Sequence, residues 1–192
     1  MKKILIGTHN QGKFKELAYL LAKRYRKISP KSLKLPSPKE TGKTFLSNSK
    51  LKAKFFSKFV DYSIISDDSG LCIKSLGNKP GIHSARWAKK YGGFKKAMRL
   101  ILKKLKGQKN RSAFFICSLT YINPSGKTVS VVGKIAGKIS DEMLGNNGFG
   151  YDPIFVPLKE KITFGQMRKS KKINMDHRHI AFQKLKKKTK IL

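Results

Sequence analysis

The sequence predicts an α/β protein in which parallel strand and helix units are joined to an antiparallel hairpin. At the N-terminus, a short apolar strand at 2–7 runs into a polar turn and then into a helix with one apolar face. In the middle of the chain, β-rich runs at 113–122 and 128–139 flank Asn-Pro-Ser-Gly, which is a strong turn signal. Together these patterns predict a mixed β-sheet with flanking helices.

The first turn and helix form a possible anion site. The turn at 8–13 lies between a strand and a helix start, where free backbone N–H groups and the positive helix end favour an anion. Lys13 adds positive charge there. The glycine spacing differs from that of a P-loop, so the turn alone indicates no particular nucleotide. The apolar face of the following helix comprises Phe14, Leu17, Leu20 and Leu21.

A second strand is expected at 24–29, and a second helix is expected to open at the turn 40–45 and run to about Phe59. Asn48 and Lys52 are four residues apart and therefore share a face of this helix, which in isolation is equally typical of a solvated surface. The residues that can face a core are Phe45, Leu51, Phe55, Phe56 and Phe59.

The central stretch is Ser66-Asp67-Asp68-Ser69-Gly70. The run at 62–65 resembles a buried strand that stops there, and 71–73 resembles a second strand after a glycine turn. Side chains alternate along a strand, so only one of Asp67 and Asp68 is expected to enter a given pocket. Acids at a strand end can also simply cap a turn. With 10 Asp and Glu against 44 Lys and Arg, however, their placement carries information.

The second half begins with a loop at 76–81 and a helical stretch at 84–88. An amphipathic helix at 93–106 follows, and we expect its inward residues to be Phe94, Ala97, Met98, Ile101, Leu102 and Leu105.

A glycine-rich stretch at 145–155 is the second informative segment. Its glycines let the backbone approach a flat ligand, with Phe149 as a stacking surface and Asp152 beside a polar edge of that ligand. A tight loop anchored in the core by Phe149 and Tyr151 is the alternative. The basic segment 169–190 is predicted to be helical, and its cationic group is Lys172, His177 and Arg178, which could equally be a solvated face.

Length and composition limit the class of protein. A chain of 192 residues fits a single domain over 1–192, or at most two small ones. No apolar run approaches the roughly 18 residues that a transmembrane helix needs. We interpret the N-terminus as a strand rather than a signal peptide. The two cysteines, Cys72 and Cys117, lie in apolar runs and indicate neither a disulfide framework nor metal-ligand spacing. A reducing compartment, the cytoplasm, is therefore the expected location.

The formal charge of +34 first suggests nucleic-acid binding. Two observations argue against selected binding. The basic residues are 37 Lys and 7 Arg, whereas base and phosphate recognition tends to use Arg, and the lysines are spread over every segment. Compositional drift toward Lys explains the same charge. We therefore expect nucleic-acid binding that is at most weak and non-specific.

Five motifs in order resemble those of the Ham1/RdgB family of non-standard purine nucleoside triphosphate pyrophosphatases. THNQGKFKE is similar to the family's T/S-x-N-x-x-K-x-x-E, and ETGKTFLSNSKLKA to its E-x-G-x-T-F-x-x-N-A-x-x-K-A. DDSGL followed by PG and SAR, then GFGYDP, and finally DHRHIAF against S-H-R-x-x-A-F complete the match. Asp176 replaces the usual Ser and Ser49 the usual Ala. Asp176 could weaken anion binding or alter base preference.

The resemblance implies a long mixed β-sheet with flanking helices that form two lobes around a central cleft, a homodimer, and dependence on Mg²⁺. It implies hydrolysis of ITP, dITP or XTP to the monophosphate and pyrophosphate. This hydrolysis would remove deaminated purine nucleotides before polymerases use them. No membrane association is expected. Two alternatives remain: a basic nucleic-acid-binding protein on a nucleotide-binding fold, and a Maf-like pyrophosphatase for modified pyrimidine nucleotides.

The resemblance also assigns roles to residues. Asp68 is the catalytic candidate, expected to stay ionised because nearby cations favour its charged form, and Glu40 and Asp68 are the expected magnesium ligands. For the base, Phe149 stacks while Lys172, His177 and Arg178 donate to a 6-oxo group. The remaining substrate-binding candidates are Thr8, His9, Asn10, Gln11, Gly12, Lys13, Lys52, Ser69, Gly150, Tyr151 and Asp152.

Overall fold

The computed structural model describes residues 1–189. Its strands are β1 Lys2–Gly7, β2 Tyr25–Ile28, β3 Ser63–Ile73, β4 Lys79–Pro80, β5 Ser112–Ile122, β6 Thr128–Ile139 and β7 Phe155–Pro157. Its helices are α1 Gln11–Leu20, α2 Phe45–Phe56, α3 Ser84–Lys90, α4 Phe94–Lys104, α5 Lys169–Ile173 and α6 His177–Thr189.

Within the described residues, the strands form one seven-stranded mixed sheet. The order is β2-β1-β3-β5-β6-β7, with β4 paired to β3. β1 is parallel to β2 and β3, whereas β4 is antiparallel to β3 and β7 is antiparallel to β6. β5 and β6 are neighbours joined through the turn at 123–127, where the Gly126 N–H donates to the Asn123 carbonyl. The predicted mixed α/β class is confirmed.

The central acidic stretch differs from the prediction. β3 runs without interruption through Ser66 to Gly70, so the predicted break at the glycine is wrong. Burying a carboxylate costs free energy unless it is paired or hydrogen-bonded. Here Asp67 and Asp68 both find cationic or amide partners, and the strand therefore continues through them.

Two helix boundaries also differ. α2 begins after Thr44, whose side chain accepts a hydrogen bond from the Ser47 N–H, and it ends at Phe56. Phe59 was predicted to face the core but lies beyond the helix and is 48% exposed. The basic segment predicted as one helix is two helices, because the chain leaves helical geometry at Asn174, a residue type that competes for backbone hydrogen bonds. Lys190, the last residue of that prediction, lies outside the described residues.

The chain separates into two compact units that are discontinuous in sequence. The first contains Met1–Asp68, Cys117–Gly133 and the described residues from Arg178 onward, and the second contains Ser69–Ile116 and Lys134–His177. Their boundaries fall within β3, β5 and β6 and after the first residue of α6. The assignment of 1–192 to a single domain stays a prediction.

Each unit has its own apolar core. The core of the first unit includes Ile4, Ile6, Leu17, Ile65, Cys117, Leu119, Phe182 and Leu185. The core of the second includes Leu71, Ile73, Ala97, Met98, Ile101, Phe115, Ile154, Phe155 and Phe164. The residues predicted to face inward on α4 are buried or packed against this second core. Cys72 and Cys117 are both buried and form no disulfide. Across residues 1–189, none of the helices has the length and apolar character to span a membrane.

Candidate functional site

The two adjacent carboxylates of β3 contact different partners. Asp67 Oδ2 lies 3.2 Å from Lys13 Nζ and 3.4 Å from Arg178 Nη2. Asp68 Oδ2 accepts a 3.1 Å hydrogen bond from Asn48 Nδ2, and its Oδ1 lies 3.6 Å from Lys52 Nζ. The alternation of side chains along a strand therefore separates the two acids as predicted.

Asp67 belongs to a largely buried charge network. Arg178, which is 1% exposed, donates from Nη1 to Glu16 Oε2 and also contacts Asp67. Burial alone would raise the pKa of Asp67, but Lys13, Arg178 and Lys52 together hold it well below its usual range. Asp67 therefore serves as a permanently charged partner for these cations.

The Lys52 ammonium contacts both predicted metal ligands, Glu40 and Asp68. Lys52 Nζ donates a 2.7 Å hydrogen bond to Glu40 Oε1 and lies 3.6 Å from Asp68 Oδ1. Burial acts to lower the pKa of Lys52, but the charges of Asp67, Asp68 and Glu40 outweigh it and raise that pKa. The solvated-surface interpretation of Asn48 and Lys52 is wrong, since both side chains are buried.

The expectation that cations dominate the ionisation of Asp68 needs correction. Burial is the largest influence and raises the pKa of Asp68, with Glu40 acting in the same direction. Lys52, Lys13 and the Asn48 hydrogen bond oppose this shift without reversing it. Asp68 is therefore a better proton acceptor than a solvated aspartate.

The turn before α1 is ordered by Asn10. Its Oδ1 accepts a 3.0 Å hydrogen bond from the Lys13 N–H and so caps the helix, while its own N–H donates to Thr8 Oγ1 at 3.2 Å. His9 is exposed, with Nε2 lying 3.0 Å from the Leu35 carbonyl oxygen. Gln11 and Gly12 form the first turn of α1. The turn therefore presents a helix start beside Lys13.

In the second unit, the glycine-rich loop is held by Asp152. Asp152 Oδ2 accepts a 2.9 Å hydrogen bond from the Phe149 N–H and lies 3.2 Å from Lys172 Nζ. Lys172 Nζ is in turn 5.0 Å from the centre of the Phe149 ring. Asp152 and Lys172 thus fix the position of the aromatic ring.

The other predicted site residues of this unit differ in burial and in their contacts. Tyr151 is 2% exposed and its hydroxyl donates to the Ser84 carbonyl, which favours the core-anchor alternative for this residue. His177 is buried, with its ring stacked on Phe115 at a centroid distance of 4.8 Å. Ser69 is partly buried on β3, and Gly150 adopts a positive φ of 68° in the loop.

The sequence candidates therefore form two groups. One contains the 8–13 turn, Glu40, Lys52, Asp68 and Arg178, and the other contains Ser69, the loop 149–152, Lys172 and His177. The guanidinium of Arg178, a predicted base contact, pairs with Glu16 and Asp67. Its contact with the base stays a prediction.

Three contributors were not proposed as site residues: Glu16, Asn48 and Asp67. Asn48 connects the site to the preceding turn, because its Oδ1 accepts a 2.8 Å hydrogen bond from the Gly42 N–H while its Nδ2 holds Asp68. The scarcity of acids identifies Glu16 and Asp67 as unusual, and the four-residue spacing to Lys52 places Asn48 on the same face of α2. No sequence pattern indicates that Arg178 pairs with an acid 162 residues away.

The fold and these contacts define an α/β protein with a carboxylate and lysine cluster in one unit and an aromatic, glycine-rich loop in the other. A family model described as the Ham1 family matches residues 4–188. The chain belongs to the Ham1 family.

Relatives and solved structures are similar to this chain over nearly its whole length. A protein of Caulobacter vibrioides named dITP/XTP pyrophosphatase is 40% identical over 186 residues, covering 96% of each chain. A Bacillus subtilis protein of the same name is 38% identical and covers 97% of this chain and 96% of its own. The Ham1 protein of Staphylococcus aureus superposes with a TM-score of 0.85 at 34% identity, covering 97% of both chains. A HAM1 protein from Coxiella burnetii gives 0.86 at 31% identity, covering 97% and 98%.

Proposed function

We propose that this protein hydrolyses the non-standard purine nucleoside triphosphates ITP, dITP and XTP to the monophosphate and pyrophosphate, and so keeps them out of DNA and RNA. The observation that carries the proposal is the convergence of Glu40 and Asp68 on the Lys52 ammonium, in a chain whose relatives are named dITP/XTP pyrophosphatases. Two acids beside lysines suit a reaction in which a highly negative substrate must be bound and then attacked by water.

The triphosphate needs positive groups for binding. We assign this role to the start of α1, to Lys13 and to Lys52, because backbone N–H groups and ammonium groups both favour phosphate oxygens. Lys13 and Lys52 are each held by a carboxylate, at 3.2 Å from Asp67 and 2.7 Å from Glu40. These ion pairs restrict the lysine side chains before substrate arrives. Thr8, His9 and Asn10 shape the turn around them.

Asp68 orients and deprotonates the attacking water. The water oxygen forms a bond to the α-phosphorus as the bond to the bridging oxygen of the β-phosphate breaks, so pyrophosphate leaves with the bonding electron pair. The proton of the water passes to the Asp68 carboxylate. Burial, which raises the pKa of Asp68, strengthens it as a base, and the Asn48 amide fixes the direction of its oxygens.

The donor set at Lys52 fits Mg²⁺. Magnesium takes one or two protein carboxylates together with substrate phosphate oxygens and waters. Glu40 and Asp68 already direct carboxylates to one cation. Within residues 1–189, no group of three or more His, Cys, Asp or Glu side chains is arranged to hold a metal, which disfavours an all-protein metal cage. When bound, Mg²⁺ would neutralise the charge that develops on the phosphate oxygens.

We assign base recognition to the second unit, with Phe149 as the stacking surface and the donors of Lys172 and His177 facing a 6-oxo group. Arg178 was placed with these donors, but its contacts with Glu16 and Asp67 suit a supporting role. Adenine carries an amino group at position 6. The N–H donors of this group would face the donors of Lys172 and His177, and neither side would find an acceptor. A site that leaves buried polar groups unpaired rejects such an analogue strongly.

We also propose that the protein acts as a homodimer, as the family resemblance implies, and that it works in the cytoplasm with no membrane partner, as the cysteine usage and the hydropathy of the sequence suggest. Sedimentation across a range of protein concentrations distinguishes a dimer from a monomer.

A substrate panel tests the function. Purified protein with Mg²⁺ is expected to release pyrophosphate and the monophosphate from ITP, dITP and XTP, with much slower release from ATP. Product identification separates this from stepwise loss of phosphate. Equal turnover of the standard nucleotides removes the specificity, and preference for modified pyrimidine nucleotides favours the Maf-like alternative. A nucleic-acid-binding protein would instead show steeply salt-dependent binding and no turnover.

Gly148→Ala should weaken catalysis through the loop that carries Phe149. Gly148 has a φ of 75°, and a Cβ there would collide with Asp152 Oδ2, which holds the Phe149 N–H. Displacing this loop is expected to lower kcat/KM for ITP by roughly 10- to 100-fold, mainly through KM. Steady-state kinetics measure both constants.

Gly126→Ala is the matched control, because Gly126 also has a positive φ, 81°, but a Cβ there meets open space. It should lose similar backbone freedom while keeping its activity. If both variants show the same kinetics, the Asp152 contact does not position the base-binding loop.

A further inference from the structure

We propose that Asp176 tunes base selection through Lys172, so that this protein prefers a neutral 6-oxopurine such as hypoxanthine over the anionic form of xanthine. The inference rests on the proposed function and specifies its substrate. Asp176 is a positioning residue here, since it acts on the base through the ammonium that it contacts.

Lys172 is held between two carboxylates. Its Nζ lies 3.2 Å from Asp152 Oδ2 and 3.3 Å from Asp176 Oδ2, and all three side chains are at most 3% exposed. The Asp176 N–H also donates to the Lys172 carbonyl at 3.1 Å, which anchors Asp176 at the end of α5. The position of Asp176 is therefore fixed by its backbone hydrogen bond, its burial and its ion pair with Lys172.

The cluster lies against the predicted stacking surface. Lys172 Nζ is 5.0 Å from the centre of the Phe149 ring, and Asp152 Oδ2 accepts from the Phe149 N–H. A base stacked on Phe149 would interact electrostatically with the summed charge of these groups. Screening by solvent is weak over this short distance because the groups are buried.

The charge of the cluster decides which base it favours. One ammonium and one carboxylate, those of Lys172 and Asp152, would sum to zero. Asp176 adds a second carboxylate, so these three side chains together carry a formal charge of −1. The single ammonium is shared between two acids and is a weaker donor toward an incoming carbonyl.

The two candidate bases differ in charge. Hypoxanthine in a nucleotide stays neutral through the physiological range. Xanthine has a second carbonyl group, at C2, and a further ring N–H beside it at N3, and in a nucleotide it loses a proton near neutral pH to become an anion. The weaker donor affects both bases, but only the xanthine anion is also repelled by a charge of −1. Asp176 is therefore expected to shift preference toward ITP and dITP.

A competition assay tests this directly. ITP and XTP are mixed in one reaction above the pH at which xanthine ionises, and the initial rates of IMP and XMP formation are compared. Their ratio is independent of the active fraction of enzyme. Asp176→Asn and Asp176→Ser are each expected to raise the XTP to ITP ratio of kcat/KM by roughly 3- to 30-fold. An unchanged ratio overturns the inference.

Glu160→Gln is the control. Glu160 pairs with Lys171 at 2.8 Å in the same unit, so the substitution also removes one carboxylate from a lysine. Its XTP to ITP ratio should equal that of the wild type. A rise as large as that of the Asp176 variants would show a general charge effect and would overturn the specific assignment.

A measurement on the wild type does not depend on how the variants fold. Its XTP to ITP ratio should fall as pH rises through the ionisation of xanthine, and a flat or rising ratio contradicts the inference. Asp152 and Asp176 both contact Lys172, and His177 follows Asp176 in sequence. An effect of their ionisation that is equal for the two substrates cancels in the ratio, which leaves the charge of the base as the difference that is measured. A wild type that hydrolyses neither nucleotide would instead refute the proposed function.

Discussion

Asp68→Asn is expected to reduce kcat/KM for ITP by roughly 10³- to 10⁴-fold. The amide cannot accept the proton of the attacking water, and it is a poorer ligand than a carboxylate for Mg²⁺. The change preserves the size of the side chain and keeps an oxygen that can accept from Asn48 Nδ2, which lies 3.1 Å away in the wild type. Pyrophosphate release under initial-rate conditions measures the loss.

Asp61→Asn is the matched control, because Asp61 is an exposed aspartate of the same unit. Its activity should stay within about twofold of the wild type, as is usual for surface substitutions. Circular dichroism and the urea midpoint of Asp68→Asn should show a folded protein. Activity near the wild-type level in this folded variant would exclude Asp68 as the general base.

The fold was largely predictable because its signals are local. Hydrophobic periodicity placed α4 and the two strands of the hairpin, and the Asn-Pro-Ser-Gly turn placed the connection between β5 and β6. β3 was predicted as two strands because carboxylates and a glycine in sequence resemble a strand end. Whether a buried aspartate ends a strand depends on partners such as Lys13 and Lys52, which are distant in sequence.

The site was predictable where chemistry restricts the residue type. Glu40 and Asp68 both contact the Lys52 ammonium, which is consistent with the predicted phosphate and magnesium site, and the roles of the three residues stay predictions. The ionisation of Asp68 was less predictable, because it depends on the degree of burial, which outweighs the nearby cations. The partners of Arg178 were missed for a related reason: adjacency to His177 in sequence suggested a shared role, whereas the start of α6 directs its guanidinium to Glu16 and Asp67.

Arg178→Met should therefore act first on stability. The substitution keeps an unbranched apolar side chain of similar length but leaves the buried Glu16 carboxylate, which is 5% exposed, without the guanidinium that pairs with it. Breaking a buried ion pair by removing one partner costs about 3–5 kcal/mol. The free energy of unfolding from urea denaturation, followed by circular dichroism, is expected to fall by that amount. Arg26→Met, at an exposed arginine on β2, should change it by less than about 0.5 kcal/mol.

The double variant Arg178→Met with Glu16→Gln separates a charge effect from a packing effect. If the cost comes from an uncompensated carboxylate, removing that charge as well should restore part of the lost stability, so the two substitutions are not additive. Asp67 retains Lys13 at 3.2 Å in both variants and should not add to the loss. Additive effects would mean that Arg178 stabilises the unit mainly by packing. Wild-type stability in Arg178→Met alone would show that Glu16 does not depend on this ion pair, and Arg178 would then be better explained as the base contact that the sequence first suggested.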